Sequence, residues 1–180
     1  MPAASWQRQH RGGMTPATIA AVGLGGNLGD AAATLQEALR ALDELPSTRL
    51  LRASRLYRTS AWGNTAQPDF VNAAALLETR LDARALLDGL LGIERHFGRE
   101  RDSAVQWGPR ILDLDLLLYG DAVIDEPGLR VPHPYLHERA FALLPLAQIG
   151  PDLQVPGLGT VAALLRSVDT KGCASLPADA

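Results

Sequence analysis

Apolar residues along this chain recur at two periods, and the switches between them mark out its elements. Thr18 to Leu24 is a short apolar run that predicts a first strand. Beyond it, Leu28, Leu35, Leu39 and Leu42 fall at helical spacing, with Asp30 or Asn27 available as N-cap and Pro46 as the stop. Thr48 to Thr59 predicts a second strand, though its alternation is imperfect. After a loop of small and polar residues, Ser60 to Asp69, the positions Val71, Ala73, Ala75 and Leu77 alternate cleanly as a third. Asp82 caps a second helix with Leu86, Leu90, Ile93 and Phe97 on one side, ended by Gly98. Ile111 to Tyr119 follows a proline and predicts a buried strand. A hairpin over Ala122 to Val131, a short helix from Glu138 and an amphipathic segment from Val161 to Val168 complete the series.

The order strand, helix, strand, strand, helix, strand contains one direct strand–strand link. It predicts an α+β fold, a ferredoxin-like sandwich: an antiparallel sheet with helices packed on one face, plus a C-terminal hairpin and helices. No repeat or linker marks a second domain. Residues 17–170 read as a single domain, 1–16 as a disordered tail and 171–180 as a loose one.

Composition narrows the function classes. The 180 residues are 47% hydrophobic and 21% charged, as in an ordinary globular protein, and the net charge of −3 offers no general reason to bind nucleic acid or an anionic membrane. No apolar run reaches membrane-spanning length. The single cysteine, Cys173, excludes a disulfide framework and, with no signal peptide, fits a reducing cytoplasm.

The candidate chemistry centres on the strand Ile111 to Tyr119. Alternation puts Leu112, Leu114, Leu116 and Leu118 on one side and projects Asp113 and Asp115 from the other, with Leu117 and Tyr119 continuing the acidic face. Two carboxylates side by side on an apolar strand are costly unless neutralised, and oxygen-preferring cations such as magnesium do this while carrying phosphates. Arg99, Arg101, Trp107 and Arg110 lie in the preceding loop. Arginine forks suit polyphosphate, although Glu100 and Asp102 interleave and would equally make a balanced solvated loop. The run Gly23-Leu24-Gly25-Gly26-Asn27-Leu28-Gly29 lacks the Gly-Lys-Ser/Thr ending of a Walker loop and reads either as a phosphate cradle or as a plain tight turn. His133 and His137 lack partners at zinc spacing, leaving His133 as a phosphate-side donor or a loop histidine. Phe70 and Asn72 share a strand face, an arrangement that can stack and read a flat heteroaromatic ring or simply fill a core.

The order of these pieces resembles the 6-hydroxymethyl-7,8-dihydropterin pyrophosphokinase family. The likeness rests on Gly25-Gly26-Asn27-Leu28-Gly29, Tyr57-Arg58-Thr59, Gln67 to Ala74, Trp107-Gly108-Pro109-Arg110 with Leu112-Asp113-Leu114-Asp115, and Val131-Pro132-His133 with Arg139-Ala140-Phe141. It implies an enzyme of folate biosynthesis, a diphosphotransferase passing an intact pyrophosphate from ATP to the pterin hydroxymethyl group and releasing AMP. Asp113 and Asp115 match the ligands of two magnesium ions, and Arg99 and Arg110 the catalytic arginines of mobile loops. Arg101, Trp107, His133 and Arg139 match ATP-binding positions, with Leu116 and Arg130 on the adenine side. Thr59, Trp62, Phe70, Asn72 and Phe141 match the pterin pocket. The implied partners are small molecules, with no nucleic acid or membrane, and the chain is expected to be a cytoplasmic monomer.

Some positions depart from the family's pattern. Gly26 stands where serine is common and is expected to loosen that turn. Trp62 replaces a smaller apolar residue. Pro134 follows His133 where some members carry an aromatic, so that one nucleotide contact is missing or supplied by Tyr135. The stretch between Arg101 and Trp107 is one residue longer. Two other readings stay in play: a kinase that moves only the γ-phosphate onto a small heterocycle, and a non-catalytic ferredoxin-like binding module.

Overall fold

Residues 16–61, 66–98 and 109–178 are described by the structure, a computed structural model. The strand β1 (Thr18–Gly26) leads to α1 (Ala31–Asp43), β2 (Thr48–Ala53), β3 (Tyr57–Thr59) and β4 (Phe70–Thr79). Next come α2 (Ala83–His96), β5 (Asp113–Tyr119), β6 (Ile124–Glu126), β7 (Leu129–Val131), a 3-10 turn at Leu136–Glu138 and α3 (Ala140–Ile149). The short strands β8 (Gln154–Val155) and β9 (Gly159–Thr160), then α4 (Val161–Leu165) and β10 (Cys173–Ser175), complete the described fold. Asp30, rather than Asn27, caps α1, its carboxylate accepting from the Ala33 N–H at 3.1 Å, and Asp82 caps α2 through the Ala85 N–H at 2.7 Å.

The main sheet is antiparallel, in the order β10-β3-β4-β1-β5, with β2 also paired to β4. Along its outer side β4 therefore takes two strands in turn, β2 near Thr79 and β3 near Phe70. The single strand expected over Thr48 to Thr59 is in fact these two. The break has a cause: the buried Ser54 turns its hydroxyl inward, where Oγ accepts from the Ala74 N–H at 2.9 Å and donates to the Arg55 carbonyl at 2.7 Å. Within the segment expected to trail loosely, Cys173–Ser175 pairs with β3, and the Leu176 N–H donates to the Leu56 carbonyl at 2.8 Å. That extra strand covers hydrogen-bonding groups that a bare edge would expose.

Helices α1 and α2 cover one face. Their apolar sides meet Ala20, Val22 and Leu24 of β1, Ala73, Ala75 and Leu77 of β4, and Leu112, Leu114 and Leu116. The C-terminal α3 lies on the other face, packing Leu143, Leu146 and Ile149 with Ala21, Ala74, Leu76, Leu117 and Leu118. Between Ala21 and Val22 the register of β1 on β5 slips: Val22 faces Leu116, Ala21 faces Leu118, and Leu117 is left over. This bulge corrects the expected alternation. Leu118 leaves the side of Leu112, Leu114 and Leu116 for the α3 side, and Tyr119 moves from the acidic face to the α1/α2 side, its hydroxyl donating to the Leu81 carbonyl. Among the described residues, no helix is long and apolar enough to cross a membrane.

Because the sheet separates Leu118 from Leu90 of α2, truncating either to alanine is expected to cost ~2–5 kcal/mol, and the two costs are expected to add within ~0.5 kcal/mol. Urea unfolding of the two single variants and the double variant measures this; strong coupling would put Leu118 on the wrong face.

Candidate active site

Three strands meet here in register. Gly25 of β1 lies between Asn72 of β4 and Asp113 of β5, and Gly23 lies between Ala74 and Asp115. Alternation puts Phe70, Asn72, Asp113 and Asp115 on the face whose other half α3 covers. Two strand spacings put the main chains of Asn72 and Asp113 ~10 Å apart, with a residue that has no side chain between them. A Cβ on Gly25 would meet Asn72 Oδ1 at 2.9 Å, and one on Gly23 would press on Leu117 at 3.4 Å. Most of the glycine-rich run is thus neither a phosphate cradle nor a tight turn. It is a strand that leaves bare floor, and only Gly29, at φ +62°, takes a turn conformation that favours glycine.

Gly26 is where the main chains come closest. A Cβ there would collide with the Ile111 carbonyl oxygen, so glycine tightens this junction instead of loosening it. The approach lets the N–H groups of Asn27 and Leu28 donate to the Arg110 carbonyl, at 2.9 and 3.3 Å. The Asn27 side chain returns the contact, with Oδ1 accepting from the Arg110 N–H at 2.8 Å. Asn27 is itself buried.

Arg110 then reaches forward. Its Nη1 donates to Asp113 Oδ2 at 2.8 Å, both side chains being about a quarter to a third exposed at 31% and 26%. From below, the buried Glu94 of α2 accepts from the Leu114 N–H at 2.7 Å, between the two aspartates in sequence. Burial first, and then the neighbouring Asp113, push the Asp115 carboxyl up from 3.8 to about 7; Glu94 adds to the rise, while Arg139 and Arg110 oppose it.

The far side is built by the chain after β7. Past the cis Val131–Pro132 bond, the His133 N–H donates to the Leu117 carbonyl at 2.9 Å and fastens this segment to β5. Burial, and then Arg139, lower His133 to about 4, with Asp113 pulling the other way. The ring is therefore neutral at pH 7. Its Nδ1 accepts from the Tyr135 N–H at 3.3 Å, which leaves Nε2 to carry the proton as a donor. Arg139 lies 5.5 Å from the ring centre of the exposed Tyr135 and 5.6 Å from that of Phe141.

At the other end, Asn72 is buried and its Nδ2 donates to Thr59 Oγ1 at 2.7 Å. Phe70 opens β4 opposite Thr59, and Phe141, half-buried in the first turn of α3, packs on the second core cluster. Arg130 is exposed on β7, with Nε 3.3 Å from Asp125 Oδ1. Alternation from Asp115 turns the Leu116 side chain away from this face, and it is buried under α1 and α2. Trp62, Arg99, Arg101 and Trp107 lie outside the described residues.

Sequence reasoning passed over the flooring role of Gly23 and Gly25, the support from Glu94 and the clamp at Asn27. Glycines two apart in an apolar strand were the available signal for the floor. Nothing local signals Asn27, whose partners are 40 to 83 positions away.

The donor set fits a hard divalent cation. Asp113 and Asp115 offer carboxylate oxygens on one face, and their mutual repulsion is what such an ion relieves. Among the described residues, no group of three or more His, Cys, Asp or Glu side chains could close a cage around a metal. A pair of carboxylates suits magnesium, which keeps several positions for water and phosphate oxygens.

Comparison with known proteins agrees with this geometry. Residues 21–151 match the family described as 7,8-dihydro-6-hydroxymethylpterin-pyrophosphokinase (HPPK). The 2-amino-4-hydroxy-6-hydroxymethyldihydropteridine pyrophosphokinase of Pseudomonas aeruginosa is 45% identical over 156 residues, covering 87% of this chain and 95% of that one. Its namesake from Methylorubrum extorquens is 43% identical over 155 residues, covering 86% and 96%. A crystal structure of Plasmodium falciparum HPPK-DHPS shares the fold, with a TM-score of 0.70 at 16% identity. It is covered over 46% of its length by 87% of this chain, which therefore spans less than half of that polypeptide.

The raised Asp115 predicts a measurable penalty. Above about 7 the carboxylate is charged whether the chain is folded or not, so the folded state bears the full cost of the buried charge. Between about 7 and 3.8 the folded state keeps a proton that the unfolded chain releases, and the penalty fades as pH falls. Asp115→Asn is thus expected to melt higher than the parent at alkaline pH in chelator, with the gain shrinking through that window. Thermal melts across pH test it, and a pH-independent gain would contradict the assignment.

Proposed function

The chain belongs to the 7,8-dihydro-6-hydroxymethylpterin-pyrophosphokinase family, and on that premise we propose how its residues divide the work of moving pyrophosphate from ATP to 6-hydroxymethyl-7,8-dihydropterin. It is a pyrophosphokinase of folate biosynthesis, a transferase that diphosphorylates the pterin hydroxymethyl group. In our reading ATP is the donor, AMP leaves, and residues 17–170 act as one domain, in a cytoplasmic monomer.

The observation that carries this division is the row Asn72, Gly25, Asp113. Asn72 reads the edge of the pterin, Thr59 holds the Asn72 amide in place, and Phe70 and Phe141 supply the stacking surfaces. A flat ring needs floor without side chains, which Gly25 and Gly23 supply. The hydroxymethyl group then points towards Asp113 and Asp115. These two carboxylates are the residues that would hold magnesium, which when bound shields phosphate charge and makes the hydroxymethyl oxygen a better nucleophile.

Arg110 neutralises charge growing on the phosphate oxygens, its peptide held on both sides by Asn27 so that the guanidinium starts from a fixed point. His133 donates from Nε2 to a phosphate oxygen without adding charge, and Arg139 adds a cation beside it. Arg130 stands at the nucleotide end of the same wall, and Tyr135, stacked on Arg139, takes the aromatic place left by Pro134. We give Arg99 a phosphate-closing role and Arg101 and Trp107 nucleotide contacts, with Trp62 at the pterin mouth, on the family likeness alone. No general base is needed in this scheme, because positioning and charge compensation carry phosphoryl-type transfer.

Incubation with ATP, magnesium and the pterin is expected to release AMP in step with pterin diphosphate. Release of ADP would instead identify a γ-phosphate kinase, and no nucleotide turnover a binding module. Arg110→Ala is expected to lower kcat ~10²–10³-fold while the affinities for ATP and pterin change far less. Steady-state kinetics beside direct binding measures the split, and a defect confined to binding would remove the charge-stabilising role.

A further inference from the structure

We propose that Asn27 is a positioning residue that couples the phosphate side of the site to the pterin side, so that ordering one side orders the other. The inference rests on the assignment of those two sides above. One buried amide makes three contacts with segments far apart in the chain. Its Oδ1 accepts from the Arg110 N–H at 2.8 Å, and its Nδ2 donates to Gln67 Oε1 and to the Pro68 carbonyl, each at 3.1 Å. A backbone donor on one side and a carbonyl acceptor on the other admit only one orientation of this amide.

What hangs from each end gives the clamp its meaning. Arg110 carries the guanidinium on Asp113, and its carbonyl is held by the Asn27 and Leu28 N–H groups as well. Pro68 stands two residues before Phe70 and four before Asn72. A displacement of the 67–68 segment is therefore felt at the peptide that aims Arg110, and the reverse. Leaving either side of a buried amide without its partner is unfavourable, so the two segments favour one shared arrangement. Gly26 makes this possible by letting Asn27 sit against the approach to β5.

The test is a coupling measurement on the full chain. Calorimetric titration with 6-hydroxymethyl-7,8-dihydropterin, with and without saturating magnesium and a non-hydrolysable ATP analogue, yields the ratio of the two Kd values. For the unaltered chain this ratio is expected to be ~5–150. Asn27→Asp keeps the acceptor for Arg110 but loses the donor to Pro68, even if Gln67 turns its amide to compensate. Its ratio is expected to fall towards one, with analogue affinity retained. Gln67→Leu removes one contact of the three and is expected to lose part of the ratio; it carries the test if Asn27→Asp does not fold.

A ratio that persists in both variants overturns the proposal, as does an unaltered chain with no ratio. So does a loss of ratio accompanied by an equal loss of analogue affinity and melting temperature, the signature of a merely structural residue. AMP release by the unaltered chain separates the two levels. Without it the functional reading itself fails, whereas AMP release with an undiminished ratio in the variants removes only the role of Asn27.

Discussion

The contact on which this site depends is between two main chains, Gly26 against the carbonyl of Ile111. No side chain fits between them, and the closeness lets Asn27 and Leu28 donate to the Arg110 carbonyl. That junction enters β5 in register with β1, with Gly25 opposite Asp113 and Gly23 opposite Asp115. From there the carboxylates, the bare floor and Asn72 follow as one row, because antiparallel pairing leaves no freedom once the first pair is set. The bulge at Leu117 then ends that strict relation, just beyond the residues that need it.

The electrostatics show a site arranged for ligands at some expense to the fold. Asp115 sits where burial and a second carboxylate make its charge unfavourable, and Arg110 and Arg139 compensate only in part. His133 is kept neutral by burial and by Arg139, so it offers a hydrogen-bond donor where another fixed cation would be costly. Such tension between partly buried like charges and incompletely compensating arginines is typical of functional sites rather than of a core built for stability alone. In the same region Glu94 spends a buried carboxylate on one N–H of β5, which steadies the strand between its two aspartates.

Much of this was legible along the chain because it depends on neighbours a few positions apart. Helix caps at Asp30 and Asp82, the apolar faces of α1 and α2, and the Asp-Leu-Asp alternation of β5 are all short-range patterns. The shared face of Phe70 and Asn72 follows from the same alternation, whereas the nearness of His133 and Arg139 to the aspartates depends on a segment that packs on β5 from further along the chain. Where local pattern failed, a long-range hydrogen bond had outvoted it. Ser54 broke the strand Thr48 to Thr59 by bonding Ala74, and Cys173–Ser175 turned from tail to strand because β3 offered an edge. Leu118 and Tyr119 changed faces at a bulge that no periodicity announces.

The sequence by itself therefore determined the helices α1 and α2 with their apolar faces, the strands β1, β4 and β5 up to the bulge, and the chemical character of the acidic strand, since these follow from side-chain spacing and propensity. Only the tertiary structure decided that the glycines of β1 are floor rather than loop, that Leu116 belongs to the core, and that Asn27 joins segments 40 to 83 residues away. The physical reason is the same in each case. Spacing fixes which way a side chain leaves its own strand or helix, but what it meets there is set by the register of another segment.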